Sequence, residues 1–174
     1  MIKYHLAKLV DWVGNLETRK RMQKIVYLLQ AAGCPFEADF FLHRFGPYSQ
    51  DVARITDELV AIGILEETAS ENQVGRQFSY CLTTSGREKI AALEAKPDTQ
   101  EYCDRLSVFG DLAKDLAATG LRDLEVASTM AYYHHDLGLD WDQAKVSACS
   151  FKSVDPDGAF ALKALKLAQR VSIK

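Results

Sequence analysis

Four cations crowd the opening of one apolar stretch: Arg19, Lys20, Arg21 and Lys24. Spacing places them at the start of a helix expected over residues 18–32. Positive charge there opposes the helix macrodipole, at a cost of some tenths of a kcal/mol per residue. Two explanations stay open. Either the cations meet phosphate or the acidic surface of a partner protein, or they keep the helix soluble and pair with Glu17 or Asp11. Arg76, with Arg87 and Lys89 beyond it, extends the basic stripe. Arg54 is the one base on a later helix face that otherwise presents Gln50, Asp51, Asp57 and Glu58, a poor surface to press against phosphates. A solvated helix face is the favoured explanation of that surface.

A second cluster, Tyr132-Tyr133-His134-His135-Asp136, is where metal chemistry would have to lie. Shared coordination from a helix needs ligands three or four residues apart. Adjacent histidines point about 100° apart, and Glu125 lies too far back to serve as a third ligand. Histidines near a helix C-terminus are favoured by the dipole alone. Cys34, Cys81, Cys103 and Cys149 form no CxxC pair and no Cys/His ligand set. The chain contains no Gly-rich phosphate loop and no nucleophile elbow. The expectation is therefore a protein with no catalytic residues, no metal and no cofactor, and not an enzyme.

The elements that carry these residues follow from periodicity. Ile2, Leu6, Leu9, Val10 and Val13 have helical spacing, ended by Gly14-Asn15. The helix over 18–32 buries Met22, Ile25, Val26 and Leu29. Residues 40–45 form a short aromatic strand, and Gly46-Pro47 a turn that re-aims the chain into a helix over 49–62. Ser49 is its N-cap, Val52, Ile55, Leu59 and Ile62 its buried face, and Gly63 its C-terminal stop. Tyr48 can bury its ring and keep its hydroxyl wet. Residues 64–68 and 78–83 are strands of a hairpin with its tip at Asn72 to Gly75. Ser85 and Glu88 form a capping box for a helix ending near Lys96. Beyond Pro97-Asp98-Thr99 everything is helical: 99–118, 121–137, 141–152 and 157–171. Tyr102, Leu106, Phe109, Leu112 and Leu116 line one face there, and Phe160, Ala164, Leu167 and Val171 another.

Hydrophobic residues at 48% and charged residues at 26% describe an ordinary globular chain. No window approaches the roughly 18 apolar residues of a membrane span. Lys3, His5, Lys8 and Asp11 interrupt any apolar leader core, so a cytoplasmic protein without membrane contact is expected. Residues 1–96 carry 12 basic and 12 acidic side chains, whereas 97–174 carry 9 and 12, so the net charge of −3 belongs to the second half. Neither half has the basic excess usual in a nucleic-acid binder.

Three helices followed by strand, turn, strand and helix is the order of a winged helix, whose hairpin covers the open flank of a small helical core. Leu59-Val60-Ala61-Ile62-Gly63-Ile64-Leu65-Glu66 resembles the helix-Gly-strand junction of winged-helix regulators of the MarR and PadR families. Tyr80-Cys81-Leu82-Thr83-Thr84-Ser85-Gly86-Arg87-Glu88 is similar to their strand ending in Leu-Thr before the next helix. By that resemblance Arg76 is a wing arginine, a residue that in such proteins commonly reaches phosphate or the minor groove. A resemblance over nearly the whole chain is to the YwgA-like family of uncharacterised bacterial proteins. It rests on Arg21-Met22-Gln23-Lys24-Ile25-Val26-Tyr27-Leu28-Leu29, on Phe45-Gly46-Pro47-Tyr48-Ser49, and on Leu124-Glu125-Val126-Ala127-Ser128-Thr129-Met130-Ala131-Tyr132-Tyr133. It implies a winged-helix N-terminus, a helical C-terminus and no established activity. Related Gly-Pro signatures occur in antitoxin-associated domains, which act on proteins. One departure matters: regulators place two short helices with a tight turn where this chain has the single helix 49–62.

The expected fold is mostly α with a small β-hairpin: a winged helix-turn-helix domain at 1–96 followed by an all-helical lobe at 97–174 that dimerises or senses. The leading expectation is a homodimeric DNA-binding transcriptional regulator. Arg19, Lys20, Arg21, Lys24, Arg54 and Arg76 would meet the duplex. The alternative is a protein-interaction module that keeps the winged-helix shape without DNA.

Overall fold

The computed structural model describes residues 2–72 and 75–172. Helix α1 (Ile2–Val13) buries His5, Leu6, Ala7, Leu9 and Val10. A short strand β1 (Leu16–Glu17) leads to helix α2 (Arg19–Ala31), with Thr18 as N-cap. The Thr18 hydroxyl accepts from the Arg21 amide at 3.1 Å, satisfying one of the free N–H groups of the first turn. The expected apolar face of α2 is buried, and so are Gln23, Lys24, Tyr27 and Leu28. A helix enclosed on every side is the centre of the molecule, not a surface helix.

Strands β2 (Phe41–His43) and β3 (Gly46–Tyr48) form a tight ribbon between α2 and the next helix, pairing Phe41 with Tyr48 and His43 with Gly46. The turn is therefore Arg44-Phe45, not Gly46-Pro47 as the local sequence predicts. The reason is tertiary. Gly46 has φ +92, and a Cβ on it would stand 2.7 Å from Thr129 Oγ1, so glycine is there for close approach rather than to make the bend. Pro47 is tolerated because a two-stranded ribbon leaves edges that need no donor.

Helix α3 (Gln50–Ala61) starts at Ser49, whose hydroxyl accepts from the Val52 amide at 3.3 Å. Gln23 fixes that start from α2: its side-chain amide donates to the Ser49 carbonyl at 2.9 Å and accepts from the Ser49 N–H at 2.8 Å. Val52, Ile55 and Leu59 are buried as the spacing predicts, but Ile62 is 57% exposed. It is the C-cap, where the helix unwinds through Gly63 at φ +70, and Ile64 takes the inward position instead.

Strands β4 (Leu65–Asn72) and β5 (Gly75–Leu82) form the expected antiparallel hairpin, from Leu65 opposite Leu82 to Asn72 opposite Gly75. They run longer than the alternation alone indicates, and Gln73 and Val74 at the predicted tip lie outside the described residues. Strand β1 pairs along the far side of β5, giving the order β1-β5-β4. Helix α4 (Thr84–Glu94) is capped by Thr83, which accepts from the Gly86 amide at 2.9 Å, so the predicted Ser85 cap lies two residues too late.

The predicted helix over 99–118 is two, α5 (Gln100–Ser107) and α6 (Gly110–Ala118). The break falls where Gly110 passes the Trp12 indole, within 3.5 Å of where a Cβ would sit. Helix α7 (Leu121–His135) is buried continuously from Leu124 to Ala131. It packs on α2 and on α8 (Trp141–Lys152) and α9 (Ala159–Val171). These last two helices meet their neighbours mainly through alanine. On α9 it is Ala161, Ala164, Ala168 and Val171 that are buried, while Phe160 and Leu167 are only half-covered. Small side chains let the axes approach, which turns α9 away from the face its larger residues predict. The protein is thus mostly helical with a small antiparallel sheet, and no helix among the described residues is long and apolar enough to cross a membrane.

Candidate functional site

The four cations of α2 leave the helix in different directions and meet different partners. Arg19 donates through Nε to the Tyr80 hydroxyl at 2.6 Å, and its Nη2 lies 2.8 Å from Glu67 and 2.7 Å from Asp57. The guanidinium of Arg21 donates to the carbonyls of Ala117, at 3.0 Å, and Thr119. It therefore serves the unpaired C-terminal carbonyls of α6. Lys20 stands 3.9 Å above the Phe45 ring and 3.4 Å from Glu125. Lys24 is 1% exposed, and its ammonium donates to the Pro47 carbonyl at 2.6 Å.

Lys152, a residue to which the sequence offers no pointer, joins this arrangement from α8. It is buried, and its Nζ donates to the Arg44 carbonyl at 3.2 Å. Two buried lysines from α2 and α8 thus hold the β2–β3 turn by carbonyls on either side of Phe45-Gly46. Among the described residues only one carboxylate stands with them: Glu125, 3.4 Å from Lys20 and 3.5 Å from Arg122. Burial pushes the Lys24 ammonium down to about 7, and repulsion from Lys152 and Lys20 adds to this while Glu125 opposes it. Burial also lowers Lys152.

Beside Lys24 a cavity of about 200 Å³ opens between α2, the β2–β3 ribbon and α3. Met22, Phe45, Tyr48, Val52 and Thr56 supply much of its wall, with Arg19 and Lys20, both partly exposed, completing it. Neither Phe45 nor the pocket was legible as a site in the sequence. The motif Phe45-Gly46-Pro47-Tyr48-Ser49 is its one local trace, since it supplies two aromatic walls and the α3 cap.

The remaining predicted residues lie apart from the cavity. Arg54 is held on the surface of α3 by Asp51 at 3.1 Å and Glu58 at 2.5 Å. Arg76 lies over the Phe78 ring at 5.2 Å, and Arg19 over the same ring at 5.3 Å. The structure therefore brings Arg19 and Arg76 together over Phe78, about midway along the hairpin. It sends Arg21 to α6 and encloses Lys24, so these four do not form one continuous stripe. The histidine pair is occupied by packing contacts. The His134 ring stacks on Trp141 at 3.9 Å, with Nδ1 2.7 Å from the Leu139 carbonyl, and His135 Nε2 lies 2.8 Å from the Ser172 hydroxyl. Among the described residues no three His, Cys, Asp or Glu side chains gather as a metal site would require.

Fold and site together define a mostly helical protein with a small antiparallel sheet and a cation-walled apolar cavity at its central helix. The chain is 28% identical over 156 residues to the uncharacterised protein YwgA of Bacillus subtilis strain 168, a match that covers 88% of this chain and 86% of that one. No family profile matches it.

Proposed function

We propose that this protein is a protein-interaction module built on a winged-helix scaffold, and that it does not work by gripping duplex DNA. The scaffold reading is supported by element order and pairing. Helix α1, strand β1, helices α2 and α3 and hairpin β4–β5 follow one another, with β1 laid against β5. The β2–β3 ribbon lies between α2 and α3 in that order.

One observation carries the functional reading: the charge on α3, the helix that would enter a groove. Asp51, Asp57 and Glu58 lie on its outer part, and the bases that approach them are spent on them. Arg54 pairs with Asp51 and Glu58, Lys3 reaches Glu58 at 2.9 Å, and Arg19 reaches Asp57. Phosphates approaching that face would meet carboxylates, while specific DNA interfaces are strongly positive. The transcriptional-regulator reading draws on Arg19 and Arg76 meeting over Phe78 beside the hairpin. Mobility-shift titration of mixed-sequence duplex separates the two. The expected outcome is no retardation even at about 50 mM salt, where electrostatic binding is strong. Salt-sensitive retardation whose log–log slope falls by roughly 0.9 on Arg76→Ala would establish a phosphate contact and overturn the proposal.

A further inference from the structure

We infer that the cavity between α2, the β2–β3 ribbon and α3 is an anchor pocket for an acidic segment of a partner protein. One large apolar side chain fills the cavity while a neighbouring carboxylate meets Lys20 at its wall. The inference rests on the interaction-module reading and names the chemistry of the partner.

Size decides what kind of ligand fits. Pockets for small organic ligands run from about 300 to 1,000 Å³, and this cavity measures about 200 Å³. Cavities of about 150 Å³ with apolar walls take up benzene. The space therefore suits a single aromatic or large aliphatic group, the kind of buried anchor that carries most of the energy of a protein interface. The walls agree: Met22, Phe45, Tyr48 and Val52 offer methylene, thioether and ring surface, with few groups that would have to be desolvated.

Charge decides what stands next to that anchor. Arg19 is already balanced by Glu67 and Asp57. On the other side, among the described residues, Lys20, Lys24, Arg122 and Lys152 share the carboxylate of Glu125. Among the described residues the Pro47 carbonyl is the single hydrogen-bond acceptor of the Lys24 ammonium. Partly buried cations in excess over anions raise a positive potential that low-dielectric walls focus at the opening. An incoming carboxylate relieves it, whereas a basic segment would be repelled. Nucleic acid fits less well, because Arg19 at the cavity wall is already engaged by Asp57 of α3 and Glu67 of β4. Phe41, 43% exposed and with its ring centroid 5.6 Å from that of Tyr48, offers apolar surface just outside the cavity for the residues flanking the anchor.

The test is selection of random peptides displayed on phage against the full-length protein, followed by fluorescence anisotropy with the enriched sequences as synthetic probes. Enriched peptides are expected to carry one Phe-, Trp-, Leu- or Met-type residue next to Asp or Glu. Ala53 of α3 also lines the cavity, and Ala53→Trp, which pushes an indole into it, is expected to weaken their binding about tenfold or more. Lys20→Gln is a partly exposed change that leaves the fold intact, and it is expected to weaken binding about threefold and flatten its salt dependence. A thermal melt of each variant checks folding. Enrichment of basic or wholly polar peptides, or of none, overturns the pocket, as does binding unchanged in both variants. In that last case the interaction module itself stands, with its surface elsewhere. Retardation of duplex DNA, by contrast, removes the module reading on which the pocket depends.

Discussion

Lys24 concentrates the residue-scale physics of this protein, because a cation placed at an inward helix position must be discharged or held. Its folded-state value of about 7, against an ordinary 10.5, means that the unfolded chain binds more protons between those two pH values. Stability therefore rises with pH across that interval and falls as pH drops from 10.5 to 7, below which the cost of burial is complete. That cost is on the order of 5 kcal/mol, and it exceeds the roughly 1–3 kcal/mol expected for leaving the Pro47 carbonyl without its donor. Lys24→Met is accordingly expected to be more stable than the parent chain in urea titrations near pH 6. It should lose that advantage steadily towards pH 10, where the parent lysine is neutral. A stability difference that does not change with pH would show that Lys24 is not held in this way. Arg21 makes a different bargain with its surroundings: its guanidinium works as a cap for α6. Neither role can be told from the letter K or R at a helix start.

At the scale of elements, the β2–β3 ribbon is the part on which the cavity depends. It is held by Lys24 and Lys152 at two carbonyls and by the close approach of Gly46 to α7. Thr129, whose Oγ1 would collide with a Cβ at position 46, is itself bonded to the Glu125 carbonyl at 2.6 Å and cannot easily turn aside. Gly46→Ala thus combines a left-handed backbone position with a steric clash, and a loss of about 2–4 kcal/mol is expected. Gly63→Ala is the control. It also has positive φ, at +70, but meets nothing within 4 Å, so a loss of only about 1 kcal/mol is expected from the backbone alone. Equal losses in the two variants, measured by urea unfolding, would mean that the ribbon does not press on α7 as described. The same element shows why its turn was misplaced on the sequence. Gly-Pro is a strong local turn signal, but here the glycine answers to a residue more than eighty positions away.

Across the whole molecule, the boundary expected at Pro97 does not separate two sets of contacts. Leu106, Ala113, Leu116, Leu124 and Met130 belong to the same buried cluster as Leu6, Ile25 and Leu28. Polar ties cross as well: His5 to the Tyr102 hydroxyl, and the Tyr27 hydroxyl to Asp136 at 2.6 Å. Burying one large aliphatic or aromatic side chain stabilises by about 1.5–3 kcal/mol, and a domain's whole stability is about 5–15 kcal/mol. A chain ending at residue 96 would expose the Tyr27 and Leu28 side of α2 along with part of α1. Such a fragment is expected to lack a cooperative thermal transition and to bind a hydrophobic dye, whereas the full chain melts in one step. A sharp, reversible transition for residues 1–96 alone would show that the first half is a domain in its own right.

The sequence by itself determined the local grammar of the fold. The ends of α1, α2, α3, α8 and α9, the Ser49 cap, the Gly63 stop and the β4–β5 pairing were all legible, because each is decided by side-chain periodicity, φ preference or a hydroxyl within three residues of the amide it caps. Similarity to YwgA was legible too, as a resemblance carried by the runs at 21–29, 45–49 and 124–133. What only the tertiary structure decided is where the long side chains end and which helix faces are inside. Lys24 finds Pro47, Arg19 finds Glu67 and Tyr80, Arg21 finds Thr119 and Lys152 finds Arg44. These partners lie between about twenty and more than a hundred positions away. A lysine or arginine reaches several ångströms from its backbone, so its register on a helix constrains its root but not its tip. The tip goes to whichever distant carbonyl or carboxylate the packed helices present, and that choice broke up the expected basic stripe, bringing Arg19, Lys20 and Lys24 to a cavity and sending Arg21 and Arg76 elsewhere.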